Sequence, residues 1–270
     1  MPNYSGQIQL ILTSPPFPLK RAKKYGNKTG QEYLDWLCNI GNKLKPLLTD
    51  TGSIVLEIGN AWNPGEPTYS TLPLETLIEF KKRCNLYLCQ EFIYFNPARL
   101  PGPIEWVNKQ RVRVKDSFTQ IWWMSKSPNP YADNNNVKEA YSKQMKKLLS
   151  SGKYNAGARP SEHTISETAF TVDNGGAIPS NVIIAANTAS KDIYLKQCKA
   201  NDVEIHPARM APAIPEFFIK FLTHEDDVVL DCFGGSNTTG AIAEKLNRRW
   251  VTVELDPIYY RGSQFRFEDT

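Results

Sequence analysis

At 270 residues, with 41% hydrophobic and 22% charged side chains, the chain is long enough to bury a full core, and it suits one large α/β domain or one domain carrying an insertion. Its net charge of +4 permits a polyanionic partner without requiring one. Five scattered cysteines with no CxxC pair and three dispersed histidines point to neither a disulfide framework nor a metal centre, and without a bilayer-length apolar run or a basic-then-apolar start the expected location is the cytosol.

Ile8, Leu10, Ile11 and Leu12 form an apolar run that stops at Thr13, Ser14, Pro15, Pro16 and Phe17. Proline lacks a donor for the sheet and fixes its own φ, so the run reads as a buried strand ending in a rigid turn that holds Ser14 and Phe17. In open α/β sheets ligands bind at the carboxyl ends of strands, where neighbouring strands leave in opposite directions. Lys20, Arg21, Lys23 and Lys24 follow in a loop that reads either as a solvated segment or as a phosphate-contacting flap.

Tyr33, Leu37, Ile40 and Leu44 recur at helical spacing within 31–48, and Pro46 with the Asp50, Thr51, Gly52 turn ends that helix. Ser53 to Ile58 reads as a strand. Leu74, Leu77 and Ile78 supply the apolar face of a second helix running into Lys81, Lys82 and Arg83, and Leu86 to Phe95 reads as the next strand. The alternation predicts a mostly parallel sheet covered on both faces.

Within 99–115, Lys109, Arg111, Arg113 and Lys115 stand at every second position and would share one face of an extended ribbon, with Val112 and Val114 turned toward the body. Such a stripe is more often a solvated edge than a nucleic-acid contact, and nearby Trp106 and Asn108 bring phosphate and base contact level with that reading. Phe118 to Met124 forms another strand. From 126 to 202 the composition turns to Asn, Ser, Gly and Lys, which reads as an insertion holding one helical stretch at Tyr141 to Leu149 and a basic, glycine-bearing stretch at Lys153 to Arg159.

Order returns after His206, with a helix opened by Pro215 and packed by Phe217, Phe218, Phe221 and Leu222. The strand Val228 to Leu230 ends in Asp231, Cys232, Phe233, Gly234, Gly235, Ser236, Asn237, Thr238, Thr239 and Gly240, and a helix follows with Ala241, Ile242 and Leu246 inward. The strand Trp250 to Val253 then ends in Glu254, and a last helix starts after Pro257. A strand, a glycine-rich turn, a helix and a second strand ending in an acid are the parts of a nucleoside-binding unit, in which the acid accepts the ribose hydroxyls. The glycine spacing is not GxGxxG, and Asp231 would repel a pyrophosphate. Both features favour a cationic ligand without phosphate, and S-adenosylmethionine fits that description.

On these residues the chain resembles the DNA amino-methyltransferases of the N4-cytosine type, within them the PvuII-type enzymes of the β group, over nearly its whole length. Thr13 to Phe17 matches the family's Ser-Pro-Pro-aromatic catalytic motif, Asp231 to Gly240 its cofactor motif and Glu254 the acid that follows; Pro103 to Asn108, Trp122, Trp123 and His206 to Met210 also match. The resemblance implies a circularly permuted, Rossmann-like methyltransferase sheet, with a catalytic half at 1–125, a target-recognition insertion at 126–202 and a cofactor-binding half at 203–270. It implies Ser14, Pro15, Pro16 and Phe17 as catalytic. Asp231, Phe233, Gly234, Gly235, Ser236, Asn237, Thr238 and Glu254 would bind S-adenosylmethionine, and Lys20, Arg21, Lys109, Arg111, Arg113 and Lys115 would bind double-stranded DNA, with no metal. It leaves room for a cognate restriction endonuclease acting on the same site.

The reaction expected is methyl transfer to the exocyclic amine of a flipped cytosine. That amine is a poor nucleophile, so Ser14 Oγ and the Pro15 carbonyl would take up its protons while Phe17 stacks on the base. Carbon-5 methylation needs a thiolate, and no cysteine adjoins a proline here. N6-adenine methylation with the same machinery is the nearest alternative. A DNA-binding module with an inactive cofactor site is the alternative of another class.

Overall fold

The structure, a computed structural model, describes residues 4–18, 28–154, 157–158, 160, 164–166, 169–188 and 192–268. Lys20 and Arg21 lie outside the described residues, as do parts of the basic stretch at 153–159.

Strand β1 (Ile8–Thr13) is buried along its whole length, which is what a strand covered on both faces requires of its sequence. Helix α1 (Gly30–Leu44) turns Tyr33, Leu34, Leu37 and Cys38 inward, and a single 3-10 turn at Lys45–Leu47 leads into β2 (Leu48–Gly59). Then come α2 (Leu72–Arg83), β3 (Tyr87–Phe95) and β4 (Phe118–Ser125). After α3 (Lys143–Ser151) and the short strands β5 (Gly157–Ala158) and β6 (Thr164–Ile165), the chain rejoins the sheet at β7 (Val182–Ile184). The remaining elements are α4 (Ile193–Ala200), α5 (Ala213–Leu222), β8 (Val228–Asp231), α6 (Thr238–Lys245), β9 (Arg249–Thr252) and α7 (Pro257–Gln264).

Seven strands form one sheet in the order β7-β3-β4-β2-β1-β8-β9. Pairings are parallel except on either side of β4, which runs antiparallel to β2 and β3. One face packs Ile11, Ile54, Leu56, Trp122 and Leu230 against α1 and α2. The other packs Leu12, Val55, Trp123 and Val229 against Ile214, Phe218 and Ile219 of α5 and Ala243 of α6. Adjacent residues such as Trp122 and Trp123 therefore serve opposite cores, as the two-residue period of a strand demands. Ile8 breaks the alternation, sharing a face with Ile11, because the register shifts between Ile8 and Leu10; a bulge moves one residue to the other face. Among the described residues, no helix is long and apolar enough to cross a membrane.

By its internal contacts the chain divides into a unit of residues 1–132 with 181–270 and a unit of residues 133–180. The second unit carries α3, capped by the Ser142 hydroxyl accepting from Met145 N–H at 3.1 Å and closed by Gly152 at φ 64°. It also carries the β5-β6 pair and a bridge between Glu139 and Ala177. Within the stretch 126–202, β7 pairs with β3 and α4 packs on α7.

Several local expectations need correction. The expected turn at Asp50 to Gly52 lies inside β2, as the excursion between the pairs Ile8–Leu48 and Leu10–Ser53. On α2 the inward residues are Leu72, Pro73, Thr76 and Phe80, with Leu77 partly buried, while Leu74 and Ile78 face solvent at 49% and 62% exposure. The Phe80 ring fills the space against Gly41, where a Cβ would come within 2.5 Å of it. Pro215 is the third residue of α5, within its first turn, since the helix begins at Ala213. On α6 the buried residues are Thr238, Thr239, Gly240 and Ala243, with Ile242 and Leu246 partly buried against the same core.

Candidate functional site

Connections leave β1 toward β2 on one side and β8 toward β9 on the other, so the order of the sheet reverses between β1 and β8. Ile11 pairs with Leu230 there, and both strands end together. A crevice outside the carboxyl ends of strands at such a reversal is where open α/β sheets bind ligands. The Thr13 hydroxyl donates to Asp231 Oδ1 at 2.6 Å, with both residues buried. Two motifs at opposite ends of the sequence are thereby joined by one hydrogen bond.

A second connection runs through aromatic side chains. Tyr33 of α1 donates its hydroxyl to the Pro16 carbonyl at 3.0 Å, Trp36 lies 5.6 Å from the Tyr33 ring, and Phe233 lies 5.5 Å from Trp36. Burial holds the Tyr33 phenol well above its ordinary pKa, so it remains a donor. Pro16 cannot anchor the turn through a main-chain N–H, and the Tyr33 hydroxyl supplies that anchor from outside.

Glu57 is a carboxylate that accepts from Thr119 Oγ1 at 2.9 Å, and the nearby Ser14 hydroxyl also favours its ionised form. Glu57 is buried, and burial pushes its carboxyl above the ordinary glutamate range, against the opposing effects of its two hydroxyl partners and of nearby Arg99. Sequence reading took Ser53 to Ile58 as a plain buried strand and passed over this residue. The available signal was an acid in the middle of an apolar run, since carboxylates are almost never fully buried without a partner. Just beyond it, Gly59 lies against the ring of Phe17.

The loop after β8 lies close to its surroundings because Gly234 and Gly235 carry no side chains. A Cβ on Gly234 would stand 2.1 Å from Thr252 Cγ2, and Gly235, at φ 51°, faces the His206 ring. Glu254 holds the loop: Oε2 accepts from Gly235 N–H at 2.6 Å and Oε1 from Asp256 N–H at 2.8 Å. Asn237, at φ 53°, caps α6 by accepting from Gly240 N–H at 3.1 Å, and its Oδ1 also accepts from Thr252 Oγ1 at 2.6 Å. Ser236 and Thr238 are buried, with their hydroxyls 3.2 Å apart.

Asp231 Oδ1 accepts from Thr13 and, at 3.1 Å, from Phe233 N–H, while Oδ2 accepts from Thr239 Oγ1 at 2.8 Å. Its pKa is raised by burial, against these three hydrogen bonds. Within the chain Asp231 therefore shapes the loop rather than standing open to solvent. Arg266 was missed altogether: its Nε donates to the Ser236 carbonyl at 2.5 Å, its Nη1 pairs with Asp192 at 3.2 Å, and its guanidinium lies over the Tyr194 ring. Nothing near Arg266 in the sequence marks it as a brace for a loop 30 residues earlier.

The expected basic ribbon takes a different shape. Glu105–Lys109 forms one π-helical turn and Arg111 has φ 57°, so Lys109, Arg111, Arg113 and Lys115 cannot share the face of one extended strand. Lys109 pairs with Glu105 at 3.0 Å, Arg113 donates to the carbonyls of Pro67 and Val112, and Lys115 donates to those of Pro97 and Arg99. Val112 and Val114, expected to face the body, are 48% and 86% exposed. Proline, glycine and a positive φ break the two-residue period on which the expectation rested.

The DNA methylase family pattern matches residues 8–265. The chain belongs to the DNA methylase family. It is 43% identical over 264 residues to the Type II methyltransferase M.PvuII of Proteus hauseri, an alignment covering 97% of this chain and 78% of that one. The solved structure of the PvuII DNA methyltransferase, described as cytosine-N4-specific, superposes with a TM-score of 0.78 at 37% identity, covering 98% of this chain and 81% of that one. A putative DNA modification methylase from Thermus thermophilus, solved with S-adenosyl-L-methionine, shares the fold at a TM-score of 0.55 and 17% identity, over 97% of this chain and 86% of that one.

Proposed function

We propose that this methylase is a site-specific DNA (cytosine-N4) methyltransferase that uses S-adenosylmethionine, acts in the cytoplasm and protects the recognition site of a restriction-modification system with a cognate endonuclease. The observation that carries the reading is the 2.6 Å bond from Thr13 to Asp231, which brings a Ser-Pro-Pro-Phe turn and a glycine-rich loop to neighbouring strand ends. Identity of 43% across nearly the whole chain to a Type II methyltransferase supports it, as does likeness to a structure described as cytosine-N4-specific. With the catalytic strand first and the cofactor loop last, the order along the chain is that of the permuted arrangement. The polar segment at 126–202 is the part we assign to target recognition.

The residues fit the cofactor. Gly234 and Gly235 leave the loop without side chains, and half-buried Phe233 with exposed Val253 and Leu255 offers apolar surface beside Glu254. A carboxylate has lone pairs beyond the two that Gly235 and Asp256 occupy, enough to accept from ribose hydroxyls. Bound there, S-adenosylmethionine supplies a methyl group already activated by its sulfonium.

The chain's own part is to make the amine nucleophilic. Ser14 donates its hydroxyl proton toward Glu57 and so turns an oxygen lone pair to the base, where it accepts one amine proton while the Pro15 carbonyl accepts the other. As positive charge develops on the amine, the ionised Glu57 behind Ser14 stabilises it and receives, through Ser14, the proton that the amine sheds. Phe17 stacks on the extruded base.

The test is to methylate DNA with the protein, digest it to nucleosides and identify the new species by mass against standards, mapping the methylated site on the same DNA. N4-methylcytosine is expected. N6-methyladenine alone would reassign the base, and 5-methylcytosine would overturn the mechanism.

A further inference from the structure

The loop from Asn96 to Ser117 holds a second feature that the methyl-transfer chemistry does not use. Its base is closed by backbone bonds from Asn96 N–H to the Ser117 carbonyl at 2.9 Å and from Asp116 N–H to the Gly102 carbonyl at 3.1 Å. Val107 N–H donates to Pro103 and Val112 N–H to Trp106, and Arg113 and Lys115 are bound to nearby carbonyls. This is a braced projection. Yet it presents Leu100 at 83%, Ile104 at 62%, Val112 at 48% and Val114 at 86% exposure. Large apolar side chains exposed on a braced, positively charged loop mark a contact surface, and rigidity lowers the entropy lost on docking.

Its position narrows the partner. The loop joins the end of β3 to the start of β4, and Thr119 of β4 pairs with Gly59, the residue under the Phe17 ring. Asn60 ties the loop to that end of β2 by donating to Asp116 Oδ1 at 2.9 Å. The projection therefore stands at the rim of the pocket that would receive a flipped base. Beside Val114 lie Arg111, Arg113 and Lys115. With its backbone in the left-handed region, Arg111 lines a shallow groove together with Pro101, Val107, Asn108, Val114 and Lys115.

We propose that this loop is the wedge that displaces the target base: its apolar tips, Val114 and Leu100 foremost, enter the duplex where the cytosine leaves, while Arg111 binds the adjacent backbone. Basic side chains beside an apolar tip complement a helix that is anionic outside and stacked within, and apolar wedges between base steps are an established way to unstack a duplex. The proposal rests on the methylation reading above.

The experiment compares the wild type with Leu100→Ser/Val114→Ser, a variant altered only at exposed positions. Single-turnover methyl transfer is measured on a duplex carrying the mapped site and on the same duplex with an abasic gap opposite the target cytosine. Extrusion needs less work from the gapped duplex, because the least stably paired bases flip most easily. The variant should lose at least about tenfold on the paired duplex and stay within about twofold of wild type on the gapped one. Equal loss on both substrates, or no loss on either, overturns the wedge. So does a loss that tracks dissociation of a self-associated form in sedimentation, which would make the surface a contact between copies of the chain. A wild type inactive on both duplexes overturns the methylation reading itself.

Discussion

Gly59 lies so close under the Phe17 ring that a Cβ built on it would come within 2.3 Å of two ring carbons. The ring that would stack on the base is thus seated on a glycine at the end of β2. Gly59→Ala must push Phe17 out of that seat. Base–aromatic stacking is worth about 1–3 kcal/mol per base, so methyl transfer should fall by roughly five- to 150-fold, with cofactor affinity unchanged. Phe17→Ala should lose a similar amount, and the double variant little more than either alone. Additive losses in single-turnover assays would show that the two residues act separately.

Thr13 and Asp231 make a stability prediction with a sign. The buried carboxylate accepts from Thr13, Thr239 and Phe233 N–H. Asp231→Asn replaces one acceptor by a donor and sets it against a hydroxyl or an amide that was donating. Leaving a buried polar group unsatisfied costs about 1–3 kcal/mol, and urea midpoints should shift down accordingly. Thr13→Val removes one partner and leaves the carboxylate two, so its loss should be the smaller. A larger loss from Thr13→Val would mean that packing at the strand end, and not the carboxylate, holds the two motifs together.

What the sequence made legible was whatever depends on local pattern. The strand ending at Pro15, the buried strand before Asp231 and the acid closing the following strand all came from apolar periodicity interrupted by residues with one backbone meaning. Long-range partners were not legible, since nothing local to Glu57 points to Ser14, and nothing local to Arg266 points to Ser236. The basic loop failed for a third reason. A two-residue period in sequence implies one face only if the backbone is extended, and Arg111 at φ 57° is not.

Glu254 braces the loop and, in the proposed role, binds the ribose. Glu254→Gln retains one carbonyl oxygen as an acceptor, whereas Glu254→Ala removes both acceptors from Gly235 and Asp256 N–H. Hydrogen bonds to a charged group are worth about 1.5–3 kcal/mol. Affinity for S-adenosylmethionine by calorimetry should therefore fall more than tenfold in Glu254→Ala and less in Glu254→Gln. Unchanged affinity in the alanine variant would remove Glu254 from the cofactor site.

Glu57 gives the pH dependence. Burial raises its pKa above the ordinary glutamate value, so the ionised form that faces Ser14 exists only above a pH higher than usual for a carboxylate. Single-turnover rate should rise with pH through that raised pKa. Glu57→Gln should abolish this limb and lower the plateau by about a hundredfold or more, within the range general acid–base groups contribute. Stability runs the other way. A carboxyl whose folded pKa lies above its unfolded value contributes stability below the unfolded pKa, and that contribution is lost as pH rises through the folded one. The melting temperature of Glu57→Gln relative to wild type should therefore be higher at about pH 8 than at about pH 4. An acid limb that survives in Glu57→Gln would assign the titration to another group and leave Ser14 without the base proposed behind it.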